Sequence, residues 1–284
     1  MLINSYRFEA ATPLLLDLYP GAAAAYSLRR LRTAYEGAVV RARRSIDNTE
    51  QDFTAPQVTN GTLTTFCGAG NGFVRTWYDQ SGNGNHAGQA TTGNQPQIVS
   101  GGSLATDGTK PAITFSSTPS KWLDAVDSTS LRPAAVSMLV ACSTTDITTV
   151  QAITGKNFGE SYTLSYGTAF VSSKHRPSVD NVAAPVSVET AVSSPSSLAS
   201  NARYLLFQSY DLDQLRGGHN GSVAYSVSAT GAILYSTLPF RIGALGEGSF
   251  PLLGKIQEVV VFSSAQVSNR AAIEASINSH YAIF

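Results

Sequence analysis

From Phe73 onward the chain alternates short apolar runs with clusters of Gly, Asn, Ser and Pro. FVRTWYD, QPQIVS, PAITFS, AVSMLVACS, QAITG, YTLSYG, RYLLFQSYDL, SVAYSVS, FRIGA and KIQEVVVFS are each about one strand long and rich in β-branched and aromatic residues. Roughly ten strands, hairpin-like turns and no strand–helix alternation predict an all-β protein, an antiparallel sandwich of two packed sheets. Two segments read as helices. One is Ala22–Tyr35, AAAAYSLRRLRTAY, which holds good helix formers between Gly21 and Gly37. The other follows Ser268, a candidate N-cap, and sets Ile273, Ile277 and Tyr281 on one face. The stretch 177–200 has Pro and Ser at loop density and predicts a surface crossing. No fixed-period repeat is visible. Residues 1–20 read as an N-terminal docking segment and 21–284 as the sandwich domain.

The 284 residues are 43% hydrophobic, enough for a sizeable core, but only 13% charged. The formal net charge is zero, with 19 basic and 19 acidic residues, so no global field steers the chain onto nucleic acid. Zero net charge also favours self-association. Arg29, Arg30, Arg32, Arg41, Arg43 and Arg44 crowd together, yet Glu36, Asp47, Glu50 and Asp52 lie among them, which predicts local ion pairs. Cys67 and Cys142 are the only cysteines, and nothing in the sequence pairs them; two buried thiols are expected. Arg7 and Glu9 interrupt the N-terminal apolar stretch, which does not read as a signal peptide, and no membrane span is expected.

TWYDQSGNGNHAGQ, residues 76–89, carries the densest polar pattern. Asp79 and Ser81 can bond amides two residues on, and Gly82 and Gly84 permit positive φ, so a strand-closing turn accounts for the residue types. Asp79, Asn83 and Asn85 are too few oxygen donors for calcium, and His86 has no histidine at ligand spacing. No metal or cofactor is expected. The candidate ligand-binding residues are Trp122, flanked by polar residues; Asp211, Asp213, His219 and Asn220 around a hairpin signal; and Glu247.

The run FCGAGNGFVRTWYDQSGNGNHAGQA and its lead-in DLYPGAAAAYSLRRLRTAY resemble the arabinofuranosidase B catalytic-domain family. That resemblance implies a concanavalin A-like sandwich (a jelly roll) and a retaining glycoside hydrolase with two carboxylates. The family's nucleophile is a Glu in a Met-Glu-Asn context, and no such tripeptide occurs here. Its proton donor is the Asp of Ile-Gly-Gly-Asp, where this chain has Ile242-Gly243-Ala244-Leu245. Its Phe-Cys pairs with a Cys five residues on, where this chain has Gly72, and its adjacent Cys-Cys is absent. Phage virion and bacterial surface proteins carry similar stretches. These departures lead to the expectation of a non-catalytic, structural and adhesive virion protein made in the host cytoplasm. It would form a homotrimer, contact other virion proteins and bind a host-surface glycan, without nucleic acid or membrane insertion. A secreted or surface lectin and an arabinofuranosidase-type hydrolase are the alternatives.

Overall fold

The computed structural model describes residues 13–157, 164–183, 186–222 and 225–284. Among the described residues nineteen strands form one continuous antiparallel ladder that folds into two layers, and Thr106–Asp107 pairs separately with Lys110–Pro111. One layer runs, strand beside strand, through Ala22–Ser27, Gly254–Phe262, Val136–Thr144, Arg203–Tyr210, Gln214–His219 and Tyr225–Ser228. The other runs through Ala87–Gly88, Leu123–Ala125, Phe240–Ile242, Gln151–Asn157, Leu164–Val171, Lys174–Ala183 and Val186–Ala191. The predicted sandwich is therefore present.

Strand alternation decides which residues meet between the layers. Met138, Val140 and Cys142, Tyr204 and Leu206, and Val259 and Val261 face the main core. There they join Tyr166, Phe170, Val179, Phe240 and Ile242 from the second layer. Leu139 and Ala141, Leu205 and Phe207, and Val260 and Phe262 face the other way and are covered by the C-terminal helix Arg270–Tyr281. That helix lies where the sequence placed it, with Ile273, Ile277 and Tyr281 at 0%, 1% and 3% exposure. The nine-residue strands Val136–Thr144 and Gly254–Phe262 are buried on both faces, which is why they read as unbroken apolar runs.

Two local expectations are corrected, and part of the N-terminal segment is placed. Ala22–Ser27 is a strand, and the following residues are loop, not helix. Pairing against Gly254–Phe262 satisfies its backbone, and Ala24 and Ala25 face opposite cores, where only small side chains are needed; tertiary burial overrides alanine's helix preference. The N-terminal helix is the four-residue Leu15–Leu18. Its Leu15 and Leu16 are buried against the C-terminal helix cluster, so residues 13–18 of the expected docking segment fold onto their own domain. Residues 1–12 lie outside the described residues. The stretch read as a surface crossing holds the paired strands Lys174–Ala183 and Val186–Ala191, whose first member is buried from Pro177 to Asn181.

Three of the clustered arginines are ion-paired. Arg41 pairs with Asp52 at 2.8 Å, Arg44 with Asp47 at 2.7 Å, and Arg29 with the buried Glu258 at 2.8 Å. Cys67 and Cys142 are both free and buried. An ideal Cβ built on Gly72 would lie 2.7 Å from the Cys67 sulfur, so the backbone keeps disulfide-compatible spacing although the second cysteine is missing. Gly72→Cys should therefore form a bond to Cys67 under mild oxidation, read as the loss of two titratable thiols. Three thiols titrating when the oxidised variant is unfolded, instead of one, would contradict this.

Candidate active site

The loop after Gly72–Trp77 is a brace. Asp79 Oδ1 accepts from the Ala25 amide at 2.8 Å and the Ser81 amide at 2.8 Å; its Oδ2 accepts from the Ser81 hydroxyl at 2.7 Å and the Asn85 amide at 3.0 Å. Gln80 accepts from the Leu31 amide and donates to the carbonyls of Ser27 and Arg29. Gly82 and Gly84 have φ of 99° and 75°, as their turn role requires. All four acceptor positions of Asp79 are used and the side chain is 2% exposed, so it is committed to holding strand Ala22–Ser27. Asp79→Ala strands several buried amides and should lower stability by several kcal/mol, at about 1–3 kcal/mol per unsatisfied group. An unchanged denaturant midpoint would contradict the brace.

The second layer has a different outer face. One row of the ladder reads Asp124, Arg241, Gly155, Gly167, Ser178. Phe240 and Ile242 point into the core, so Arg241 points outward, as do Asp124 between Leu123 and Ala125, and Ser178 and Asp180 on either side of Val179. Arg241 holds Asp124 through two bonds, Nε to Oδ1 at 2.6 Å and Nη2 to Oδ2 at 2.7 Å. Trp122 lies against this pair: its indole N–H donates to Asp124 Oδ2 at 3.2 Å, and the Arg241 guanidinium sits 5.0 Å from its ring centroid. Gly155 and Gly167 tolerate no side chain. A Cβ on either would come within 3.0 Å of the other's Cα, and Leu164 packs over both.

Asp180 lies one step beyond this row and is the unusual group. It is 3% exposed, and its Oδ1 is buried without a hydrogen-bond partner among the described residues. Ser165 Oγ and Asn157 Oδ1, at the same end of the adjoining strands, are also buried and have no hydrogen-bond partner among the described residues. Glu189 stands directly opposite Asp180 on the neighbouring strand, where side chains share a face. Burial first, and the Glu189 charge second, push the Asp180 carboxyl above the usual carboxylate range. Glu189 is itself tied to Arg176 at 3.0 Å. Below Asp180, Asn181 is fixed by donating to the Thr230 carbonyl at 2.6 Å and accepting from Thr190 at 3.1 Å. Unpartnered buried acceptors at one place are what a bound polar ligand would satisfy.

The candidates singled out in the sequence fall in three places. Trp122 and Glu247 come together: Leu245 and Ser249 bridge a tight hairpin, Glu247 is exposed at its tip, and Gly248 packs on the Trp122 ring. Asp211 and Asp213 form the turn between Arg203–Tyr210 and Gln214–His219, with Asp211 bonded to the Gln214 amide and to Arg216. His219 and Asn220 sit at the far end of Gln214–His219, where Asn220 Oδ1 accepts from the Leu205 amide at 2.8 Å. Leu245, where the resemblance implies a proton donor, is buried with Ala152 and Leu164 in a small apolar cluster. Asp180 was missed. The signal available was Val179-Asp180-Asn181, an acid followed by an amide as in Met-Glu-Asn, hidden in a stretch read as loop.

The fold is shared with solved structures. An arabinofuranosidase complexed with arabinofuranosyl-α-1,2-xylobiose superposes with a TM-score of 0.61 at 17% identity, covering 92% of this chain and 63% of that one. A glutamine mutant of a GH54 α-L-arabinofuranosidase soaked with 4-nitrophenyl α-L-arabinofuranoside gives 0.63 at 17% identity, with the same coverages. The binding domain of Paraclostridial Mosquitocidal Protein 1 gives 0.51 at 11% identity, covering 86% of this chain and 52% of that one. This chain thus spans about three-fifths of the arabinofuranosidase chains. No curated protein matches it at the sequence level. The profile described as "Alpha-L-arabinofuranosidase B, catalytic" matches residues 17–173, more than half of the chain, and the chain belongs to that family. This overturns the expectation of a non-catalytic virion protein. That expectation gave two missing motifs more weight than a catalytic-domain match spanning the first half of the sandwich. The matched region ends before Asp180 and before the 245–249 hairpin, where the proton-donor motif departs.

Proposed function

We propose that the protein is a glycoside hydrolase of the arabinofuranosidase type that cleaves an α-L-arabinofuranosidic bond. Membership of the arabinofuranosidase B catalytic family carries the reading. Such a reaction by retention uses two carboxylates about 5–5.5 Å apart, one attacking the sugar and one exchanging a proton with the leaving oxygen. Asp180 is the attacking group in this scheme. It occupies an acid–amide pair like that of the family's nucleophile, and its Oδ1 is uncommitted among the described residues. Glu189 is the second carboxylate. Directly opposed residues on antiparallel strands share a face with Cβ atoms about 4.5–5.5 Å apart, which lets the two carboxyl groups approach a common substrate. Arg176 orients Glu189. Trp122, against the Asp124–Arg241 pair, offers an aromatic face for a sugar further along the same sheet.

Purified protein should release arabinose from arabinofuranosyl glycosides. Glu189→Gln should lower kcat/KM for a substrate with a poor, alkyl leaving group by about 10²–10⁴-fold and for a 4-nitrophenyl substrate much less, because only the former needs general acid assistance, while kcat falls on both because the same group is the base that activates water in the second step. Glu247→Gln, at the exposed hairpin tip, should change neither rate. Equal rates for Glu189→Gln and wild type on both substrates would remove Glu189 from the scheme. Loss in Glu247→Gln would move the acid to the hairpin.

A further inference from the structure

A cavity of about 830 Å³ opens where the 28–39 loop, the helix Ala55–Thr59, the Lys110–Pro111 turn and the end of the C-terminal helix meet. It shares no residue with the Asp180 site. Its floor is apolar: Leu28 and Val39 are buried, and Tyr35, Pro56 and Pro111 form walls. Arg30, Glu36 and Lys110 line it, and their side chains make no hydrogen bond or ion pair among the described residues. The size falls within the roughly 300–1,000 Å³ of small-ligand sites.

The polar groups select the ligand class. Arg29 is not a free cation, because its guanidinium forks onto the carboxylate of Glu258 at 2.8 and 3.0 Å. Arg30 and Lys110 are donors without acceptors, and Glu36 is an acceptor without a donor. An anion would meet Glu36 and a cation would meet Arg30 and Lys110. A hydroxyl both donates and accepts, and the C–H face of a sugar ring packs on tyrosine and proline. His280 adds a neutral imidazole, since burial and the nearby Arg29 and Lys110 push its pKa down to about 4; such a ring also donates and accepts.

We infer that this cavity is a second carbohydrate site that takes a short segment of a neutral glycan, separate from the place of hydrolysis. The choice of glycan rests on the arabinofuranosidase reading; the site itself does not need turnover. The test uses the full chain carrying Asp180→Asn and an unbranched neutral xylo-oligosaccharide, which has no arabinofuranosyl group for the hydrolytic site. Titration should show binding with a dissociation constant on the order of 1 mM or tighter. Arg30→Ala with Glu36→Ala should weaken it at least about tenfold, as should Tyr35→Ala if that variant keeps its fold. In the otherwise wild-type protein, the same Arg30/Glu36 pair of changes should leave turnover of 4-nitrophenyl α-L-arabinofuranoside unchanged. No binding, binding that the Arg30/Glu36 changes do not weaken, or binding of an acidic glycan alone would each overturn the inference. An inactive wild-type protein that still binds through Arg30 and Glu36 would overturn the hydrolase reading and leave this site standing.

Discussion

Asp180→Asn is expected to abolish hydrolysis, with kcat falling on the order of 10⁴-fold or more, as when the central member of a catalytic unit is removed. An amide cannot attack as a carboxylate does, and the substitution is nearly isosteric, so a structural explanation is testable separately. The stability effect should run the other way. The Asp180 carboxyl is raised in the folded protein by burial and by Glu189. A carboxylate with a raised folded pKa makes folding less favourable above its unfolded value, and that penalty disappears as pH falls below it. Asp180→Asn removes an ionisable group whose charged form is disfavoured in the fold. The variant should therefore melt no lower than wild type at neutral pH, and the difference should shrink in acid. The raised pKa also sets the rate profile. Asp180 must be ionised to attack, so the acid limb of kcat/KM should lie above about 3.9, the ordinary aspartate value. An acid limb at or below that value, or a variant that loses activity only because it unfolds, would contradict this assignment.

Removal of residues 268–284 is expected to unfold the protein. The C-terminal helix covers Leu139, Leu205, Phe207, Val260 and Phe262. Burying an aliphatic or aromatic side chain is worth about 1.5–3 kcal/mol, so Ile273, Ile277 and Tyr281 together represent roughly 5–9 kcal/mol. That is comparable to the whole stability of a typical domain, about 5–15 kcal/mol. The helix also supplies polar closure. The Tyr281 hydroxyl donates to Glu258 Oε2 at 3.0 Å, the Arg203 guanidinium donates to the carbonyls of Tyr281 and Ala282, and Arg270 bonds Glu274 and the Ser222 carbonyl. A truncated chain should be insoluble, or should bind a hydrophobic dye and lack a cooperative melt. A soluble truncated chain melting at the wild-type temperature would show that this surface is not part of the core.

The fold was legible where the pattern was physical and local. Val136–Thr144 and Gly254–Phe262 are apolar on both faces, and Ile273, Ile277 and Tyr281 fall at helical spacing, so their places follow from periodicity. The Asp79–Ser81–Gly82–Gly84 turn was legible because short polar side chains and glycines bond backbone in few ways. Ala22–Ser27 was not legible: its strand character comes from a partner more than 230 residues away, such as Val260 opposite Ala25, and a local helix preference cannot register that. The site was less legible than the fold. Trp122 and Glu247 were singled out separately; what brings them together, the packing of Gly248 on the Trp122 ring, depends on the hairpin. Asp180 sits among Pro, Ser and Val, and its significance comes from burial and from the residue opposite, Glu189, neither of which a sequence displays. The missing Met-Glu-Asn and the Leu245 substitution argued for lost catalysis when read as isolated motifs. The strand register that sets Asp180 opposite Glu189 is not visible to isolated motifs.

The most direct test of this account is to follow cleavage of 4-nitrophenyl α-L-arabinofuranoside by proton NMR, with wild-type protein and Asp180→Asn side by side. The account predicts that the wild-type protein releases arabinose, first in the α configuration of the substrate, and that Asp180→Asn releases none while remaining folded. No release by the folded wild-type protein, or equal release by both, would contradict it.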